Sequence, residues 1–300
     1  MDRTQIDVTA AAAAMVVGQL RYGDMLLGTH TPYTWRKLTG WETLPGLDSG
    51  NVARPSQHGA HLGRLLSQTR TVGLDEMIVR AHADELGAVV EQLGAATAVV
   101  EDEMPLLVHI DTRGPLLAWA RAVRREIPVE LGYAVGTVTE AAVEWEATDP
   151  RRYTPAVQCA ETGLPEPCLP WHGDYGHGPR GVPASTGDLL AHNHGSAPTH
   201  PMIELHGPVD TPRLTNTTTG AVLEYDVILE ADEVLTIDTF DGTATLPDGE
   251  SLLTAASVAS WPEPAFTLDP GENTLTFRAA PDEPADPRAA AALRWRSAHW

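Results

Sequence analysis

Residues 142–155, AVEWEATDPRRYTP, contain the end of a regular strand and the start of a joint. Val143 and Trp145 alternate with two glutamates, and this period of two is typical of a half-buried β-strand. The pair Asp149-Pro150 stops the pattern, because proline has no N–H donor and restricts the residue before it. The stretch is therefore either the edge of an active site or a joint between two β-rich building blocks.

Composition narrows the range of partners. The 300 residues carry a formal net charge of −21, and 42% of them are hydrophobic, which suits one large or two ordinary globular domains. A strongly acidic chain argues against nucleic acid and anionic lipid as partners, since both require basic surface. The apolar stretch TAAAAAMVVGQL (9–20) is too short to span a bilayer. The aspartates before it do not fit the basic leader region of a signal peptide. We expect no membrane insertion.

The part before the opening stretch also has the pattern of β-structure. Aromatic runs within 19–46, a segment around 69–80 and the segments 104–110, 114–123 and 136–147 each predict strands. Between them, DELGAVVEQLGAAT (84–97) has apolar residues at helical spacing and predicts one short amphipathic helix. We therefore predict an N-terminal extension over 1–18, either a short helix or a docking strand, and a mainly β domain over 19–153.

The part after the joint predicts a second β domain over 154–300. GAVLEYDVILE (220–230), EVLTID (233–238), NTLTF (273–277) and AALRWRSAHW (291–300) alternate as strands and are joined by Asp-Gly turns. Such short strands indicate an antiparallel sandwich. A Pro/Gly/His-rich arm at about 160–200 lacks any sustained period, so we expect it to be irregular and to order against a partner.

The sequence of the arm gives only weak signals for a metal or catalytic site. It contains five histidines and two cysteines, but none has the close spacing of a zinc site, so loop histidines are favoured over a metal centre: His172, His177, His192, His194, His200, Cys159 and Cys168. Cys159 and Cys168 are either paired or, more in keeping with two isolated cysteines, free thiols. Carboxylates such as Glu161 are too common in this acidic chain to indicate a glycosidase pair. We predict no metal, no cofactor and no enzymatic activity.

Two further patterns in this region have alternative explanations. Trp171 and Tyr175, in a glycine-rich loop, either stack on a sugar ring or, as we favour, pack on a neighbouring subunit. Asn216 begins a glycosylation sequon, although nothing else indicates secretion.

Four segments together resemble the distal tail proteins of long-tailed, siphovirus-type phages, a kind of minor tail protein, and especially relatives from phages of actinobacterial hosts. They cover most of residues 20–300, and their order and spacing together make the resemblance specific. The four segments are HGAHLGRLLSQTRTVGLDEMIV (58–79), EWEATDPRRYTP (144–155), NHGSAPTHPMIELHGPVDTPRLTNTTTGAVLEYDVIL (193–229), and LTIDTFDGTATLPDGESL with PGENTLTF (235–252 and 270–277). The long arm and the alanine-rich start depart from that pattern.

The resemblance implies a fold and an assembly. It implies an N-terminal split-barrel-like ring domain followed by a galectin-like antiparallel β-sandwich. It also implies a structural virion protein, made in the host cytoplasm and located at the distal end of the tail. There a homo-hexameric ring would join the tail tube to the tail tip or baseplate, in contact with the tail tube protein, the tape measure protein and the tail-tip hub proteins.

The resemblance therefore favours an interdomain joint formed by Asp149, Pro150, Arg151, Arg152 and Tyr153. The arginines either hold the linker by charge-assisted hydrogen bonds or are exposed to solvent. Alternative functions are a carbohydrate-binding adsorption module and, less favoured, a metal-dependent hydrolase. We expect the ring contacts to come from the first domain, through the alanine-rich start and the glycine-rich loop before Arg70.

Overall fold

The computed structural model describes residues 6–166, 185–280 and 286–300. The chain divides into two compact units, which we describe separately. The N-terminal unit comprises residues 7–155 together with Trp300, and the C-terminal unit comprises the described residues of 156–299 together with Ile6.

The N-terminal unit is built from strands, two α-helices and a 3-10 helix. The strands are β1 Gln19–Tyr22, β2 Met25–Gly28, β3 Tyr33–Thr34, β4 Lys37–Thr39, β5 Leu47–Ser49, β6 Val52–Ala53, β7 Ala60–His61, β8 Leu65–Ser67, β9 Arg70–Arg80, β10 Met104–His109, β11 Leu116–Glu126, β12 Thr137–Ala147 and β13 Arg152–Tyr153. The helices are α1 Thr9–Ala13, α2 Leu86–Ala96 and the 3-10 helix Leu131–Val135. The strands around 70–80 and 104–147 and the helix at 86–96 match the sequence prediction.

One antiparallel sheet organises this unit. Its strand order is β2-β1-β10-β11-β12-β9-β3, with β4 also paired to β9 and β13 to β11. The sheet curls into a nearly closed barrel. Register shifts in β12 opposite β9 and in β11 opposite β12 mark bulges, and bulges bend strands and increase their twist.

The barrel core follows from the alternation seen in the sequence. Val143 and Trp145 are buried, as their phase on β12 predicts, and Trp145 packs against Tyr22 with ring centroids 5.6 Å apart. Helix α2 adds buried Leu86 and Leu93 to the same apolar cluster. A helix with two buried leucines gains most of its stability from this packing and little from its own propensity.

The C-terminal unit is a two-sheet sandwich. Its strands are β14 Gln158–Gly163, β15 Asp188–Asn193, β16 Met202–His206, β17 Val209–Asp210, β18 Arg213–Asn216, β19 Val222–Glu224, β20 Ile228–Leu229, β21 Val234–Asp238, β22 Thr243–Thr245, β23 Gly271–Arg278, β24 Ala290–Trp295 and β25 Ala298–His299. Its described residues also include the 3-10 helices Leu253–Ala255 and Glu263–Ala265.

The two main sheets share one core. The first has the order β14-β24-β16-β21-β22 and the second β15-β23-β18-β19, while β17 and β20 form a small separate pair. All strand pairs are antiparallel, and inward residues of both sheets, such as Leu293 and Phe277, are fully buried in a common cluster. The mainly β class predicted from the sequence is thus confirmed.

Two predictions about local structure were wrong. The arm was expected to be irregular from about 160, but β14 and β15 occupy 158–163 and 188–193 and pair with β24 and β23. The stretch 220–230 was expected to form one strand, but it breaks between β19 and β20. Asp226 there donates its N–H to the carbonyl of Ala255, and Val227 donates to that of Tyr225, so the chain leaves the sheet.

Candidate oligomerisation surface

The loop before Arg70 is an extended β-hairpin, and we call residues 46–68 the exposed hairpin. Strands β5 and β8 pair at its base and β6 and β7 near its tip. All of its residues are described and none is buried. The sequence prediction of a loop able to reach outward missed this paired structure, because glycines and polar residues interrupt the alternation of its short strands.

Apolar side chains point away from the protein on this hairpin. Leu62 is 94% exposed, Leu65 62% and Leu66 56%, and Val52 is exposed as well. Single exposed leucines are ordinary on a protein surface, but several on one thin projection form an apolar patch, and such patches mark contact sites.

The hairpin also differs in charge from the rest of the chain. It has two arginines, Arg54 and Arg64, against one aspartate, Asp48, which gives a net charge of +1 in a chain of −21. A locally basic projection on an acidic protein is electrostatically complementary to other surfaces of a second copy.

Arg70 anchors the base of the hairpin. Its side chain is 1% exposed, and its Nε donates to the carbonyl of Pro150 at 2.7 Å. Its Nη1 contacts three carbonyls just before the hairpin: Gly40 at 2.7 Å, Trp41 at 2.9 Å and Thr43 at 2.8 Å. One guanidinium therefore connects both ends of the hairpin to the end of the barrel.

Burial and the neighbouring charge of Arg152 lower the pKa of Arg70 to about 10. The group is still charged at neutral pH, so its hydrogen bonds to carbonyls are charge-assisted. Arg70 lies in phase with the buried residues Val72 and Leu74 of β9, a signal that sequence reasoning overlooked.

The predicted joint residues lie next to this anchor and are buried. Asp149 accepts hydrogen bonds from Arg151, with Nε–Oδ1 at 2.8 Å and Nη2–Oδ2 at 3.1 Å, and from the Tyr153 hydroxyl. Burial alone would raise the pKa of the Asp149 carboxyl, but Arg151 and Tyr153 hold that pKa below its ordinary value. Within the N-terminal unit, these residues form a polar cluster, which excludes the alternative of solvent-exposed arginines.

Arg152 extends the cluster toward the hairpin. Its Nη1 donates to Glu42 Oε1 at 3.0 Å, its Nη2 donates to the Trp300 carbonyl, and its guanidinium lies 5.7 Å from the Trp41 ring centroid. Glu42 in turn pairs with Arg113 at 3.1 Å. The residues just before the hairpin are thus fixed through both main chain and side chain. Whether Asp149–Tyr153 also tie the two domains together stays a prediction.

The remaining candidate residues are placed as follows. Trp171, Tyr175, His172, His177 and Cys168 lie outside the described residues, and Cys159 is exposed on β14.

The His192 and His194 rings lie 4.2 Å apart, but no three His, Cys, Asp or Glu residues within 6–166, 185–280 and 286–300 are grouped to hold a metal. Asn216 of the sequon is fully buried, with its amide donating to the Thr267 carbonyl. Over the same described ranges, no helix is long and apolar enough to cross a membrane.

Comparison with known proteins supports the resemblance drawn from the sequence. Residues 194–290 match the family model of the siphovirus-type tail component, C-terminal domain. No curated protein matches the sequence.

Among solved structures, the crystal structure of the Dit protein of phage SPP1, described as a paradigm of the hub adsorption apparatus in phages that infect Gram-positive hosts, aligns with a TM-score of 0.62. That alignment has 13% identity and covers 93% of this chain and 98% of the other. A chain in the phage P2 baseplate in its activated conformation with Ca aligns with a TM-score of 0.50 at 10% identity, over 93% and 98% of the two chains.

These findings confirm the mainly β fold and show that it is similar to that of the Dit protein. The similarity in sequence to the siphovirus-type tail component lies within residues 194–290. The matched family is described as a tail component, in keeping with the prediction that the chain is not an enzyme. The actinobacterial host stays a prediction.

Proposed function

We propose that this siphovirus-type tail component with the Dit fold forms a homo-hexameric ring at the distal end of the phage tail. The ring joins the tail tube to the tail tip or baseplate. Its neighbours are the tail tube protein, the tape measure protein and the tail-tip hub proteins, and it is made in the host cytoplasm before assembly. The N-terminal domain carries the ring contacts, and the C-terminal domain is dispensable for them.

The exposed hairpin is the observation that carries this proposal. Leu62, Leu65 and Leu66 remain uncovered by the chain's own fold, so burying them against a second copy removes apolar surface from water. A projection that docks elsewhere on an identical neighbour makes a head-to-tail contact, and such contacts close into a ring when the rotation between copies allows it.

Charge and rigidity both favour this contact. The net charge of +1 on the hairpin faces a chain of −21, so its docking on acidic surface reduces like-charge repulsion between copies. The Arg70 anchor holds the hairpin base in place before docking, and a preorganised element loses less conformational entropy on binding.

Oligomeric state tests the proposal directly. We expect mass photometry and negative-stain electron microscopy of the full chain to show a species of six chain masses with sixfold rings. Replacing Leu62 and Leu66 together by glutamate should leave monomers, because two buried charges without partners oppose docking.

The control is Val258→Glu, which changes a fully exposed apolar residue of the C-terminal unit and should leave the rings intact. A wild-type chain that stays monomeric at the highest concentration reached would contradict the ring. Rings formed by the double variant would contradict the role of the hairpin.

A further inference from the structure

A polar cavity lies on the outer face of the four-stranded sheet of the C-terminal unit. It has a volume of about 440 Å³ and is lined by side chains of β18, β19 and β23, including Arg213, Thr215, Glu224, Thr276 and Arg278. Their neighbours along each strand face the core, so the alternation of the strands places all five on the opposite face.

The strand register brings these groups side by side. Arg213 on β18 lies opposite Glu224 on β19 and Arg278 on β23, while Thr215 lies opposite Thr276. Directly opposed side chains on antiparallel strands are about 5 Å apart at Cβ, which is close enough for one small ligand to contact several of them.

Each charged group of the cavity has an ionic or hydrogen-bonding partner. Glu224 Oε2 lies 3.3 Å from Arg213 Nη1, and Glu224 Oε1 accepts a hydrogen bond of 2.5 Å from the Ser257 hydroxyl. Arg278 is held by the Gly187 carbonyl at 2.8 Å and by Asp188 Oδ1 at 2.9 Å. These contacts restrain the side chains, and restrained side chains lose less conformational entropy when a ligand binds them.

The balance of charge indicates the class of ligand. Arg213 and Arg278 supply two positive charges, and Glu224 and Asp188 supply two negative charges, so the cavity and its rim are neutral. A neutral site with guanidinium donors, a carboxylate acceptor and threonine hydroxyls matches vicinal hydroxyl groups, which donate and accept at once. A phosphate-rich polymer is disfavoured, because both carboxylates would repel it.

A segment ending in an exposed aromatic residue runs along the edge of the same sheet. Trp261 donates its backbone N–H to the Val222 carbonyl of β19 at 2.7 Å, and its side chain is 44% exposed. Ser260, the residue before it, accepts the backbone N–H of Glu224. The segment ending in Trp261 therefore runs beside the strand that carries Glu224. This segment therefore covers the free edge of β19 next to the cavity.

We propose that this cavity binds a neutral oligosaccharide, with Glu224, Arg213 and Arg278 holding hydroxyl groups. The site is independent of the proposed ring, because every group belongs to the C-terminal unit. Trp171 and Tyr175, weighed above as sugar contacts, have no part in it.

Glycan-array screening of the full chain followed by titration with the best neutral oligosaccharide tests the site. Glu224→Gln should weaken binding about tenfold or more, the loss expected for one charge-assisted hydrogen bond. Because Glu224 also contacts Ser257, Thr276→Val is the second variant. It removes a hydroxyl at nearly constant shape, and it should weaken binding while leaving the melting temperature unchanged.

The matched control is Glu272→Gln, which removes one exposed carboxylate from the far end of β23. It should bind like the wild type. The proposal is overturned if no neutral glycan binds, if only anionic glycans bind in a salt-sensitive manner, or if a bound glycan is held equally well by Glu224→Gln and Thr276→Val. Glycan binding by a chain that never forms rings would still support this site.

Discussion

Replacing Arg70 by methionine should loosen the exposed hairpin more than any change on the hairpin itself. The guanidinium contacts the carbonyls of Gly40, Trp41, Thr43 and Pro150 at 2.7–2.9 Å. Methionine fills much of the same volume but donates nothing. Buried carbonyls that lose their donor keep the desolvation penalty.

The hydrogen bonds of Arg70 indicate how much folding stability Arg70→Met should cost. Nε supplies one directed hydrogen bond and the two N–H groups of Nη1 supply two, and each charge-assisted bond contributes about 1.5 kcal/mol or more. The total is about 4.5 kcal/mol. Removing a buried charge, whose desolvation is reflected in the pKa lowered to about 10, returns part of this. The net loss should be about 3 kcal/mol.

Two measurements report the effect. Urea unfolding followed through the N-terminal unit gives the loss of stability, and hydrogen exchange over residues 44–68 shows whether it is felt in the hairpin. Arg70→Lys should lie between wild type and Arg70→Met, because an ammonium keeps the charge but lacks the planar fork.

Arg64→Met is the matched control, since Arg64 is exposed on the hairpin. It should change stability by less than about 0.5 kcal/mol. If Arg70→Met proves as stable as this control and the hairpin exchanges at the wild-type rate, Arg70 is not its anchor.

Three further outcomes are expected. Asp149→Asn should flatten the fall in folding stability at acid pH. The pKa of Asp149 is lower in the folded than in the unfolded chain, so its contribution to stability is present above the unfolded pKa of about 4 and is lost as the pH falls through the folded pKa. Thermal melts across this pH range measure the effect. Tyr225→Phe should cost about 2 kcal/mol in urea unfolding, because the buried Glu263 carboxylate loses the hydroxyl that donates to it at 2.8 Å, and equal stability would contradict that role. Gly63→Ala should speed hydrogen exchange in the hairpin, since a Cβ there would lie 2.0 Å from the Gly50 carbonyl oxygen, whereas unchanged exchange would mean that the strands can separate freely.

The sequence was enough to predict the long strands, the helix and the point where β12 ends. Apolar and polar residues alternate over many positions in β9 and β12, so these strands could be recognised without knowledge of the strands that pair with them. Helical spacing over 86–96 was equally local. The break at Asp149-Pro150 followed from proline chemistry alone. The order of such segments was also enough to suggest a phage tail protein.

The contents of the polar cluster and of the cavity depend on contacts between distant parts of the chain. Arg70 contacts residues 27 to 80 positions away, and Arg278 contacts Asp188 across 90 positions. Strands β14 and β15 lie in a Pro/Gly-rich region and form by pairing with β24 and β23, which are distant in sequence. Local sequence patterns show the period of a strand. Hydrogen-bond partners and charge pairs, in contrast, depend on which distant segments the fold brings together.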